Sequence, residues 1–283
     1  MAPKPKTSAV DEKQLIAAAQ AGDRRALDTL IRRHQGQVYR FGRRLCGDPH
    51  DAEDVLQETF LAMARSLGGY RGTASLSTWL YAVARSFCIK KRRRRKDAPS
   101  RLESLEQLMP AWPQALVDPG RTPDDRLVAS RVQAALDHAI AGLDPKYREV
   151  LVLRDIEGLT APEVGDVLGL TIEAVKSRLH RAREQVRRQV APALDLALEP
   201  ASGVHCRHTA RLLSRHLEGE IDAATCARME QHVATCPRCA AVCRSLRQTL
   251  AACRTSGAGS QAVPREIQRA VKDAVRAYLD GAR

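Results

Sequence analysis

Apolar positions recur at helical spacing along most of the chain, and no stretch alternates with the period of two that a half-buried strand needs. In residues 11–96 the segment GDPHDAEDVLQETFLAMARSL predicts a strong helix. Asp48 can cap it, Pro49 suits its first turn, and Asp51 sits at the positive end of its dipole. Ala52, Val55, Leu56, Thr59, Phe60, Met63 and Leu67 form its buried stripe. Glu53, Asp54, Gln57, Glu58 and Leu61 form a second, acidic face. Another helix is expected from about Leu76 to Arg95, with Leu76, Leu80, Val83 and Phe87 inward. Thr78, Ala82, Arg85, Ser86, Ile89 and Arg93 then lie opposite. Residues 97–125 hold Pro99, Pro110, Pro113, Pro119 and Pro123 without sustained periodicity and read as a linker. Residues 126–190 are helical again, and Pro192 and Pro200 mark a boundary before a Cys/His block over 205–254. A last helix is expected over 264–280, with Ile267, Val271, Ala274, Val275 and Tyr278 on one face. The expected fold class is all-α.

Composition narrows the function. The 283 residues suggest about two domains, possibly three small ones. Lys plus Arg is 46 against 33 for Asp plus Glu, a net charge of +13. No run of apolar residues is long enough for a membrane span, and the start MAPKPKTSAVDEK lacks an apolar signal core. The chain is therefore expected to be cytoplasmic, with no membrane partner. Its basic charge points to a polyanion such as nucleic acid.

Seven of the ten aromatic residues lie between Tyr39 and Phe87. Tyr70, Arg71, Thr73, Ser75 and Ser77 form a polar, Gly-containing loop ahead of Trp79, Arg85 and the basic run Lys90–Lys96. Aromatic faces and hydroxyls can hold unstacked bases, while Lys and Arg hold phosphates. An acidic stripe in a basic protein suits a basic protein partner. The segments YRGTASLSTWLYAVARSF and DAEDVLQETFL closely resemble region 2 of the extracytoplasmic-function (ECF) sigma factors of the sigma-70 family. The resemblance implies that Asp54, Gln57 and Glu58 dock on the clamp coiled coil of the RNA polymerase β′ subunit. It also implies that Tyr70, Arg71, Ser75, Thr78, Trp79 and Arg85 contact the minus-ten element of promoter DNA. The chain departs from the family at Ser86 and Lys90, where Asn and then Asp are common.

The segment LDPKYREVLVLRDIEGLTAPEVGDVLGLTIEAVKSRLHRAREQVRRQV predicts a helix-turn-helix. Thr160 and Glu163 can form a capping box, Gly169 supplies the turn, and Thr171 opens the second helix. Ile172, Val175 and Leu179 are expected inward, leaving Glu173, Lys176, Ser177, Arg178, His180, Arg181 and Arg183 for a DNA groove. This block resembles region 4 of the same family, which binds the minus-thirty-five element. Lys176, Ser177, Arg178, His180 and Arg181 are its candidate DNA contacts.

Six of the eight cysteines fall between Cys206 and Cys253. His232, Cys236 and Cys239 form an H-x3-C-x2-C set, and Cys206 is the candidate fourth ligand of a tetrahedral Cys3His zinc site. Structural disulfides are not expected in an intracellular chain. Cys226, Cys243 and Cys253 exceed the set and read as packing residues, redox thiols or ligands of a second soft or borderline metal acting as signal. With LLSRHLEGEID before it, the block resembles the zinc-binding anti-sigma domain, here fused as in ECF sigma factors with a cysteine-rich, metal-responsive tail.

The leading expectation is a sigma factor, not an enzyme, with core RNA polymerase, promoter DNA and its own C-terminal domain as partners. The alternatives are the same factor with a redox-sensing tail, and a zinc-stabilised helix-turn-helix regulator that does not bind polymerase. A recombinase would need a nucleophile with arginine helpers or a carboxylate metal cluster, and the first block offers neither.

Overall fold

The computed structural model describes residues 9–97, 123–194, 204–219, 221–258 and 263–281. Most of the expected linker lies outside these residues. Among them there are twelve α-helices and no strand. The chain forms two compact units. One comprises Met1–Ala115, Asp166–Gly169 and Ser260–Arg283; the other comprises Leu116–Gly165 and Leu170–Gly259.

The first unit contains α1 (Ala9–Gln20), α2 (Arg24–Cys46), α3 (Pro49–Ser66), α4 (Leu76–Asp97) and, from the far end of the chain, α12 (Arg265–Gly281). Asp23 caps α2 through the amides of Arg25 and Ala26. Gly47 ends that helix at φ 78°, a left-handed conformation that a side chain would strain. Asp48 then caps α3 through the Asp51 amide, with Pro49 in the first turn. All seven residues of the expected α3 stripe are buried. They pack with Leu30, Val38, Phe41 and Leu45 of α2 in the core of the unit.

The inward face of α4 differs from expectation. Its buried apolar residues are Leu76, Leu80, Tyr81, Ala84 and Cys88, while Val83 and Phe87 are half-buried. Small side chains at 84 and 88 admit close approach, and Tyr81 packs on Phe41 with ring centroids 5.0 Å apart. Cys46 and Cys88, whose Cα atoms lie 5.3 Å apart, form a disulfide between α2 and α4, against the expectation of none. Two inward-facing cysteines on packed helices meet the separation the bond requires.

The last helix, α12, packs on α3 and buries Val271 and Val275. Lys272 pairs with Asp28 at 3.5 Å and Arg24 with Asp280 at 2.7 Å. The Arg65 guanidinium lies over the Tyr278 ring.

The second unit contains α5 (Pro123–Ala141), α6 (Pro145–Leu151), a π-helical turn (Val152–Ile156), α8 (Ile172–Val190), α9 (Val204–Leu217), α10 (Ala223–Thr235) and α11 (Pro237–Ala258). The helix α7 (Ala161–Leu168) precedes α8. Helices α9, α10 and α11 pack on one another, and α11 also packs against α8, α5 and the π turn.

The α12 contacts yield a prediction. Replacing both Val271 and Val275 by Ala removes about 1.5 kcal/mol of burial at each site. Urea denaturation should show the double variant about 3 kcal/mol less stable in the unit that holds α3. Unchanged stability would contradict the docking of α12.

Candidate nucleic-acid interface and metal centre

The loop before α4 brings several expected contacts together. The Tyr70 hydroxyl donates to the Ala74 carbonyl, and the Tyr70 ring meets Trp79 edge-on at 6.2 Å. Gln20 Nε2 donates to the carbonyls of Leu67 and Tyr70, tying the loop to α1. Arg71 and Ser75 are exposed, and Trp79 and Arg85 are half-buried. Thr78 is not on the open face: it is 3% exposed, and its hydroxyl pairs with Ser75 Oγ at 2.7 Å. Ser75 Oγ also accepts the Thr78 amide, so this pair shapes the start of α4.

On α3, Asp54 and Glu58 are exposed and Gln57 is half-buried. Lys91 of α4 pairs with Asp54 and lies 3.6 Å from Asp51. The row Asp54, Glu58, Leu61 and Arg65 follows helical spacing, and its last member meets Tyr278 of α12.

The helix-turn-helix is built as its caps require. The Thr160 amide donates to Glu163 Oε2 at 2.8 Å, and the Glu163 amide donates to Thr160 Oγ1 at 3.4 Å. Gly169 turns at φ 66°, and Thr171 caps α8 through the Ala174 amide. Gly165 is also required, because a Cβ there would lie 2.8 Å from the Leu170 carbonyl oxygen.

The basic front of α8 divides in two. Ser177, Arg178 and Arg181 line a shallow concavity with Lys146 and Tyr147 of α6. The Arg181 guanidinium donates to the Tyr147 hydroxyl at 3.3 Å, and Lys176 pairs with Glu173 at 3.0 Å. Two expectations fail on this helix. Ile172, expected inward, is 43% exposed at the first turn. Arg183, expected in the groove set, is buried.

Arg183 makes a two-pronged pair with Asp155 of the π turn at 2.6 and 2.8 Å. The same guanidinium donates to Glu218 at the end of α9 at 2.5 Å. Glu218 also takes Arg154, at 2.6 Å. The Arg183 side chain is 4% exposed, and those of Asp155 and Glu218 are 7% exposed. Two cations and two anions thus neutralise one another in a largely dry cluster. One turn further along α8, Arg187 donates to the buried Ser245 of α11 at 3.1 Å. His180, one turn before Arg183 and Glu184, is half-buried. Burial is the main cause that pushes its pKa down; nearby Arg211 of α9 adds to it, and Glu184 opposes it.

The metal candidates lie in the tail. Donor atoms of His232, Cys236 and Cys239 lie within 4.8 Å of one another, with His232 Nε2 at 3.2 Å from Cys239 Sγ. An imidazole and two thiols at such separations fit a zinc-class ion. Cys206 is on α9, but its side chain lies outside the described residues. Cys243 is buried in an apolar cluster with Leu213, Met229, Leu246 and Leu250, and Cys253 is buried further along α11. Cys226 packs at the edge of the same cluster and also meets His216 and Glu230.

Among the described residues no helix is long and apolar enough to cross a membrane. Residues 30–98 match the family model of sigma-70 region 2, residues 133–186 that of sigma-70 region 4, and residues 206–240 that of a zinc-finger family. The chain is 37% identical over 173 residues to the ECF RNA polymerase sigma factor SigE of Mycolicibacterium smegmatis, covering 60% of this chain and 65% of that relative. It is 30% identical over 181 residues to the ECF RNA polymerase sigma factor SigW of Bacillus subtilis, covering 63% of this chain and 96% of that relative. The solved structure of CnrH in complex with the cytosolic domain of CnrY is 26% identical, with a TM-score of 0.44, over 63% of this chain and 96% of that one.

The ionic cluster predicts a pH dependence. Burial acts to raise the Glu218 carboxyl pKa, but Arg183 and Arg154 outweigh it and hold it below the ordinary value. A depressed carboxyl contributes stability above its unfolded pKa, about 4.3, and loses it as pH falls through the folded value. The unit should therefore lose stability as pH falls below about 4, and Glu218→Gln should flatten that slope. Urea midpoints across a pH series check this. An identical slope in the variant would contradict it.

Proposed function

The chain belongs to the ECF sigma factors of the sigma-70 family, and from that premise we propose that it joins core RNA polymerase, selects promoter DNA and is restrained in cis by its own metal-binding tail. Asp54, Gln57 and Glu58 form the polymerase dock. Tyr70, Arg71, Ser75, Trp79 and Arg85 hold the opened minus-ten strand. Lys176, Ser177, Arg178 and Arg181 read or clamp the minus-thirty-five duplex. His180 joins them once its tail-facing side is uncovered.

The observation that carries the restraint is Glu218. This tail carboxylate closes the charge balance of Arg154 and Arg183, which belong to the stretch matching region 4. The seat of α12 on α3, with Tyr278 at the end of the acidic row, supports the same reading for region 2. Departure of the tail leaves Arg183 still paired with Asp155, so release does not strand a lone buried charge. That makes the contact a reversible two-state element.

Zinc held by His232, Cys236 and Cys239, with Cys206 as fourth ligand, would supply folding free energy to the tail, on the order of 10 kcal/mol for sites of this type. A signal ion that prefers one tail state over the other then shifts the balance.

Transcription with purified core enzyme tests the proposal. Asp54→Lys with Glu58→Lys should weaken capture of core polymerase at least tenfold with little change in melting, since both positions lie off the core. Glu218→Ala should raise promoter-dependent transcription above that of the parent chain. Transcription equal to the parent would contradict the restraint.

A further inference from the structure

The Cys226 thiol is engaged from two sides. His216 Nδ1 of α9 lies 3.4 Å from its sulfur, and Glu230 Oε1, one turn along α10, lies 3.5 Å from it. A tetrahedral ion with metal–sulfur bonds of about 2.3 Å and metal–nitrogen or metal–oxygen bonds of about 2.0–2.2 Å holds such donors about 3.5 Å apart. Both separations therefore match an edge of a zinc-class coordination tetrahedron. Among the described residues, His232, Cys236 and Cys239 are the group whose donors all lie within 4.8 Å of one another. In the Cys226 group the sulfur supplies two such edges, and an ion bound there would have to draw in the exposed Glu230 side chain to complete the third.

We propose that Cys226, His216 and Glu230 form a second metal site, for an exchangeable zinc-class divalent ion, separate from the His232, Cys236 and Cys239 centre. The donor set is one thiolate, one imidazole and one carboxylate, which suits a borderline ion. Its three protein ligands leave a coordination position for water, unlike a closed four-ligand structural site. Glu230 is exposed and Cys226 half-buried, so an ion can enter from solvent. Cys243 and Cys253 are not part of it: both are buried on α11.

The site has a route to the rest of the molecule. It joins α9 to α10, and His216 lies two residues before Glu218, the carboxylate that holds Arg154 and Arg183. Fixing the His216 ring to α10 constrains the C-terminal turn of α9 from which Glu218 projects. This deepens the proposed cis restraint and rests on it for its consequence, but not for its existence.

The test is a stoichiometry. The full chain, stripped of metal under anaerobic reducing conditions, is titrated with cobalt(II) and followed by thiolate-to-cobalt charge-transfer absorption and equilibrium dialysis. Two equivalents are expected for the parent chain. One equivalent is expected for Cys226→Ser and for His216→Asn, each checked by circular dichroism, and two for Cys253→Ser. One equivalent in the parent, or two in both folded variants, overturns the site. Transcription by the same preparations separates the two ideas. Loss of one equivalent in the variants without any metal response in the parent would keep the site and remove the cis control.

Discussion

A guanidinium with almost no access to water must be neutralised where it lies, and the second unit is organised around that requirement at Arg183. Asp155 meets it from the π turn and Glu218 from α9, while Arg154 balances the second carboxylate. Region 4 supplies three of the four charges and the tail supplies one. The tail contact is therefore specified by charge as well as by apolar packing. The Arg183–Asp155 pair itself does not depend on Glu218. A purely apolar seat would have no such specificity, and a lone buried pair across the contact would be too costly to open.

The same requirement governs what α8 can present. Its tail-facing row runs through His180, Arg183 and Arg187. Its open row runs through Ser177, Arg178 and Arg181, beside Lys146 and Tyr147. One helix thus carries a structural cation row and, beside it, an open basic row, the surface proposed for DNA. In the first unit, α12 packs on α3. Its valines are buried, and its ends are fixed by Lys272 with Asp28 and by Arg24 with Asp280.

Much of this was legible in the sequence, and the failures have physical causes. The α3 stripe was recovered in full, because an i, i+3, i+4 row of large apolar residues has one reading and its caps are explicit. On α4 the pattern beginning at Leu76 and Leu80 continues equally well through Val83 and Phe87 or through Ala84 and Cys88. Residue size favoured the first, and close packing against α2 selects the second. Arg183 read as a groove residue because burial of an arginine depends on partners 28 and 35 residues away. The cluster of His232, Cys236 and Cys239 was legible because all three donors fall within eight residues. The Cys226 group was not, since His216 sits on a different helix from Cys226.

The central claim is that the tail is held to region 4 through Glu218 and Arg183. A double-mutant cycle measures it directly, using the unfolding free energies of Arg183→Ala, Glu218→Ala and the double variant against the parent. A buried, hydrogen-bonded charge pair predicts a coupling energy of about 1.5 kcal/mol or more. Additive effects, with a coupling within about 0.5 kcal/mol of zero, would show that the two side chains do not act on one another and would contradict the account.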